Sequence, residues 1–145
     1  MRDDAPFDID AFLAQPHVAR VATAGPTIRP VWYLWEDGAF WWLTGPRSRL
    51  VDRLLSDPEV ALVVDTCDLT TGDVRQVTAT GTADVHDYDT DRATRLLRRY
   101  LGMDERSWDR RFQPHETDAG TVFVRLTPTH VTARDLSFEV PGADG

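Results

Sequence analysis

The segment from Arg29 to Arg49 restricts the possible folds more than any other part of this chain. Two runs rich in aromatic and β-branched residues, 29–35 and 39–44, flank Glu36-Asp37-Gly38. Asp-Gly between such runs is the strongest short-range signal for a β-hairpin. The second run, Phe40-Trp41-Trp42-Leu43-Thr44, breaks at Gly45-Pro46. Ser48 then stands where a helix N-cap would, ahead of Leu50, Val51, Leu54 and Leu55 at helical spacing. Leu54 and Leu55 are expected to be that helix's main core contacts. Trp41 and Trp42 must point to opposite faces of their strand: one is expected in the core, and for the other a packing role is favoured over a place near a cofactor or at a subunit interface.

The rest of the chain repeats this grammar. Residues 8–15 read as a short helix closed before Pro16, and 18–23 as a strand ended by Gly25-Pro26. Residues 59–65 form an apolar run of buried-strand type, 66–73 a loop, and 74–86 a Val- and Thr-rich strand. Asp87, Asp89 and Asp91 precede a helix whose arginines, Arg95, Arg98 and Arg99, lie toward its C-terminus, an order that suits the helix dipole. A second short helix is predicted over 104–112, and strands over 121–126 and 129–134, separated by Pro128. Six or seven strands at short spacing with a few short helices predict a mainly β, antiparallel barrel or sandwich, not a parallel βαβ sheet. No glycine-rich dinucleotide fingerprint follows a strand.

A chain of 145 residues corresponds to one domain, with its core over about 10–135. The net charge of −8 argues against a nucleic-acid surface, and no apolar run is long enough to span a membrane. The acidic start is not that of a signal peptide, and Cys67 is the sole cysteine, so a reducing cytoplasm is expected. All 16 basic residues are arginine. Without a lysine, no Schiff base to pyridoxal phosphate can form.

Several chemistries fail on spacing. A calcium loop counted from Asp87 would need Gly and Glu where Arg92 and Arg98 stand. The four histidines show no metal-ligand spacing, His115-Glu116 lacks a second histidine, and no nucleophile elbow is present. Cys67 lies between acidic neighbours, which do not favour a thiolate. The helix start at Ser48 is different. Unpaired N–H groups, a hydroxyl and Arg47 and Arg49 suit a phosphate, although the same residues also make a plain serine cap.

The order of these features resembles the pyridoxamine 5'-phosphate oxidase-like family over roughly residues 10–135. That family places an aromatic strand ending in Thr before a turn and Ser-Arg-Lys; Thr44, Ser48 and Arg49 match, while Leu50 stands at the lysine. Arg75-Gln76-Val77 followed by Gly81 matches a second family segment, and Arg29 to Trp35 the strand whose backbone lines the cofactor. The resemblance implies a six- to seven-stranded antiparallel split β-barrel of Greek-key type. It further implies a homodimer with FMN, or alternatively the deazaflavin F420, in a groove between subunits. Thr44, Ser48 and Arg49 would hold the phosphate with help from Arg47, Leu43 would lie beside them, and Gln76 would bond the ring or its ribityl chain. Hydride transfer to or from a small molecule follows, with no acid or base to name. A lysine at position 50 is expected to reach the phosphate by snorkelling from the helix. The family's substrate lysine and C-terminal Arg-x-His have no counterpart, so pyridoxamine phosphate oxidation itself is not expected. A binding protein without catalysis is the remaining alternative.

Overall fold

Seven strands carry the fold in the computed structural model, which describes residues 5–113, 117 and 119–142. They are Val18–Thr23 (β1), Thr27–Trp32 (β2), Leu34–Glu36 (β3), Ala39–Thr44 (β4), Glu59–Asp68 (β5), Asp73–His86 (β6) and Val122–Asp135 (β7). Helices Ile9–Leu13 (α1), Leu50–Ser56 (α2) and Thr90–Leu101 (α3) lie between them. The hydrogen-bonded order is β2-β1-β5-β6-β7-β4-β3, antiparallel throughout. The two edges, β2 and β3, are separated in sequence by Tyr33 alone. Both edges therefore meet at that residue, and the sheet has to curl into a half-barrel.

Tyr33 also corrects the predicted 29–35 strand. Residues 27–32 pair with β1, and only 34–36 pair with β4. The break is held by Tyr100, whose hydroxyl accepts the Tyr33 N–H at 3.0 Å and donates to the His17 carbonyl at 2.7 Å. The β3–β4 turn is the expected two-residue one: Asp37 and Gly38 have φ of 57° and 67°, the signature of a type I′ hairpin.

Pro128 does not divide the last strand. It sits opposite Gly81 at a register shift, where a bulge tolerates the missing N–H, and β7 runs unbroken past it. Gly81 is there for close approach, since a Cβ would stand 2.2 Å from the Thr127 carbonyl oxygen. The predicted loop over 66–73 is likewise shorter, because β5 and β6 stay paired as far as Asp68 and Asp73. In place of a helix over 104–112 there are two 3-10 turns, Glu105–Ser107 and Arg110–Phe112.

Period-two alternation gives the sheet two apolar faces. The inner face buries Val21, Phe40, Trp42, Leu62, Val77 and Leu126, closed by α1 and α2. The outer face of β3, β4 and β7 buries Leu34, Trp41 and Phe123 beneath Ala93 and Leu96 of α3. Trp42 thus lies in the core, and Trp41 is covered within its own chain rather than at a ligand or subunit contact, with the Arg92 guanidinium 3.5 Å from its ring centroid. On α2 the buried pair is Leu50 and Leu54, spaced i,i+4, while Leu55 is 78% exposed. A seven-residue helix buries only a narrow stripe, and position 55 turns a further 100° away from it.

Candidate cofactor site

The aromatic strand β4 ends at buried Thr44, and the chain then turns through Gly45-Pro46 to Ser48. The Ser48 N–H donates to the Gly45 carbonyl at 3.2 Å, and Ser48 Oγ accepts the Leu50 N–H at 3.1 Å. Ser48 therefore caps as expected, although the helix proper begins one residue later, after Arg49, whose side chain makes no capping bond. The second partner of Ser48 is one the sequence did not single out. Arg29 Nη1 on β2 donates to Ser48 Oγ at 2.8 Å, across 19 residues. Arg47 and Arg49 stand exposed on either side.

A cavity of about 410 Å³ lies on the outer face of the sheet. Pro30, the residue after Arg29, and Leu43, the residue before Thr44, both line it, together with Val31 and Trp32. Successive strand residues point to opposite faces, so Arg29 and Thr44 face away from the cavity that Pro30 and Leu43 line, and none of Arg29, Thr44, Arg47, Ser48 and Arg49 is part of its lining. The opposite wall comes from Tyr88, in the segment before α3, from Leu96 and Leu97 of α3, and from Phe112 of the second 3-10 turn. Trp32 stacks on Tyr100 and Phe112, with ring centroids 4.6 Å and 5.4 Å away. The corner offers hydroxyl and guanidinium donors to an anion, and the outer-face cavity is largely apolar.

Leu50 does not contribute a group to this corner. It is fully buried in the inner core, so a lysine there could not snorkel as expected; its stem would begin inside the barrel. Gln76 lies elsewhere in the chain. It is on the outer face of β6 opposite Asp65 and Arg134, and its Nε2 donates to Thr78 Oγ1 at 3.3 Å. Thr44 pairs with Val122 and Gln76 with Arg134, twelve positions on along β7. The other way round the curled sheet, Arg29 stands in line with Ala79 through Val21 and Leu62, so Gln76 is three strands and three positions from it, roughly 17 Å.

Beneath the cavity, α3 is tied to the sheet by ions. Glu36 Oε1 accepts from Arg92 Nε at 2.7 Å and from Arg95 Nη2 at 2.8 Å. Burial alone would raise the Glu36 pKa, but the bonds from Arg95 and Arg92 outweigh it and hold the carboxyl below its usual range. Burial pushes the Tyr100 hydroxyl up, and it lowers His17, with Arg99 acting in the same direction. Among the described residues, no group of three His, Cys, Asp or Glu is placed to hold a metal ion, and no helix is long and apolar enough to cross a membrane.

Comparison with known proteins adds a lineage. The sequence profile described as pyridoxamine 5'-phosphate oxidase matches residues 7–135. No curated protein sequence matches. Among solved structures, a conserved hypothetical protein from Mycobacterium tuberculosis superposes with a TM-score of 0.73 at 20% identity, covering 100% of this chain and 99% of that one. A FAD-binding protein from Mesorhizobium loti gives 0.65 at 19% identity over 88% of this chain and 92% of its own. An F420 reductase gives 0.66 at 19% identity over 88% and 98%. At these identities the likeness is one of fold.

Proposed function

The chain belongs to the pyridoxamine 5'-phosphate oxidase family, and on that footing we propose that it is an oxidoreductase holding FMN at the Ser48 corner. The observation that carries the reading is the Arg29–Ser48 hydrogen bond at the start of α2: a hydroxyl and a planar guanidinium fit a phosphate's oxygens. Arg29, Ser48 and Arg49 bind the phosphate, with Thr44 and Arg47 at its margins. The bound flavin supplies the hydride chemistry, and the chain supplies binding, orientation and exclusion of solvent.

The molecule works as a homodimer in this reading. Gln76 faces outward from β6, away from its own chain's corner, and in a dimer it would serve the site of a second copy, bonding the ring or ribityl chain there. F420 is the alternative cofactor. A hollow of about 400 Å³ beside Arg49 and Arg53 would have to take its longer anionic tail, but Asp52 and Asp57 line it too and balance the two guanidinium groups, which favours FMN. The visible spectrum of the purified protein tests the proposal. A bound flavin band supports FMN, quenching of added F420 supports the alternative, and neither response leaves a binding protein without redox chemistry. Sedimentation at micromolar concentration tests the dimer, and a stable monomer would contradict it.

A further inference from the structure

The turn between α1 and β1 is where three parts of the fold are tied together, and its backbone carbonyls make the ties. The Leu13 carbonyl accepts from the Tyr33 hydroxyl at 3.0 Å. Arg99 Nη2 of α3 donates to the Leu13 carbonyl at 3.2 Å and to the Gln15 carbonyl at 2.7 Å. The His17 carbonyl accepts from the Tyr100 hydroxyl at 2.7 Å. The C-terminal end of α3 is thus docked on residues 13–17. The Tyr100 ring held there is the one on which Trp32 stacks, nearly parallel at 6°, and Trp32 lines the outer-face cavity. A movement of the turn therefore reaches the cavity wall through two side chains, Tyr100 and Trp32.

His17 is the titratable side chain of this turn. Its ring stacks on Phe12 with centroids 4.7 Å apart, and its Nε2 is buried with no hydrogen-bond partner among the described residues. Protonation would turn that nitrogen into a buried cationic donor with nothing to receive it, which costs more than a buried neutral acceptor. The charged groups that face the ring are Arg99 from α3 and Asp65 from β5. Arg99 repels a second cation, and Asp65 is already held by Arg20 at 2.7 Å. Tyr33 and Tyr100 stay neutral, since burial raises both. The imidazolium reaches water only by leaving Phe12, a core residue 6% exposed. We infer that the α1–β1 turn is an acid-released latch: protonation of His17 frees residues 13–17 from Arg99 and Tyr100, and the outer-face cavity opens as the Tyr100 ring leaves Trp32. The latch is independent of what the Ser48 corner binds.

Amide hydrogen exchange of the full chain between about pH 8 and pH 5, read by NMR and corrected for its intrinsic pH dependence, tests the inference. The Tyr33 amide donates to the Tyr100 hydroxyl, and the His17 amide to the Gln15 carbonyl. Protection of both should fall by up to about tenfold for each pH unit below 6.5, the slope for one proton taken up on release. The β5–β6 ladder should keep its protection. His17→Phe keeps a ring on Phe12 and takes no proton, so its protection should hold throughout. Tyr100→Phe should lose the protection of Tyr33 at every pH. Acrylamide quenching of tryptophan fluorescence should rise over the same interval in wild type and not in Trp32→Phe. The same acid loss in H17F, loss of protection only together with the β5–β6 ladder, or quenching that does not depend on Trp32 would overturn the inference. If H17F does not fold, the wild-type His17 ring signals decide: titration below 6.5 in step with exchange supports the latch, and titration at 6.5 or above overturns it.

Discussion

Arg29 Nη1 donates to Ser48 Oγ at 2.8 Å, joining a strand at one edge of the sheet to the turn that follows the aromatic strand. Arg29 is on β2 and Ser48 follows β4, strands that are not neighbours in the hydrogen-bonded order, and the two meet because the sheet edges converge at Tyr33. Curling of the sheet is therefore what assembles the anion corner.

Removing either arginine of that corner should weaken the cofactor. Arg29→Ala and Arg49→Ala are each expected to cost about 1.5–3 kcal/mol in FMN or F420 binding, the range for a hydrogen bond to a charged group. Arg29→Lys should recover only part, because an ammonium cannot present a planar fork to hydroxyl and phosphate together. Fluorescence titration of the three variants decides this, and unchanged affinity in both alanine variants would remove the corner from the site.

Leu50→Lys should destabilise the protein without tightening the cofactor. Leu50 is fully buried beside Leu54, and an ammonium there either stays charged in the core or forces α2 outward. A loss of about 3 kcal/mol or more is expected, on the scale of other unpaired buried charges. Urea unfolding measures it. A variant that melts like wild type and binds FMN more tightly would show that the helix can turn its lysine to the phosphate.

Gly81→Ala tests the bulge opposite Pro128. The new Cβ would fall 2.2 Å from the Thr127 carbonyl oxygen, and backbone cannot yield as a side-chain tip can. Overpacking of this kind costs about 1–3 kcal/mol. A melting temperature equal to wild type would mean the β6–β7 ladder shifts register freely there.

The acid response follows from His17 and Glu36. His17 is lowered in the folded state by burial and then by Arg99, so its contribution is complete above its ordinary value of 6.5 and is lost as pH falls through the lowered value. Glu36 is also depressed, so its contribution is present above the ordinary carboxylate value of 4.5 and is lost as pH falls below it. Melting temperature should therefore begin to drop below about pH 6.5 and drop further below 4.5. Glu36→Gln should cost about 1.5–3 kcal/mol at neutral pH by leaving Arg92 and Arg95 without their carboxylate. The gap between that variant and wild type should close in acid, and a gap that stays constant would show that the Glu36 charge contributes nothing.

The strand pattern and the Asp37-Gly38 turn were legible because period-two alternation and left-handed turn residues are local signals. Several features were not local. Tyr33 reads as one more strand residue until Tyr100, far along the chain, takes its N–H. Pro128 reads as a terminator until Gly81 supplies a bulge to accommodate it. Leu50 and Leu55 are equivalent to a helical pattern, and only the barrel interior distinguishes them. Arg29 looked like part of a backbone-lining strand, with no signal in its neighbours that its side chain reaches Ser48. The turn of Thr44, Ser48 and Arg49 was readable, whereas the α3 wall required the outer face to be seen.

Paired titrations of the purified protein with FMN and riboflavin, and separately with F420, test the central claim most directly. Both flavins share the ring, and only FMN carries the phosphate that Arg29, Ser48 and Arg49 are proposed to hold. The account predicts that FMN binds at least about tenfold more tightly than riboflavin, since charge-assisted bonds to the phosphate supply 1.4 kcal/mol or more, or that F420 binds in its place. Equal affinity for FMN and riboflavin together with no binding of F420 would contradict it.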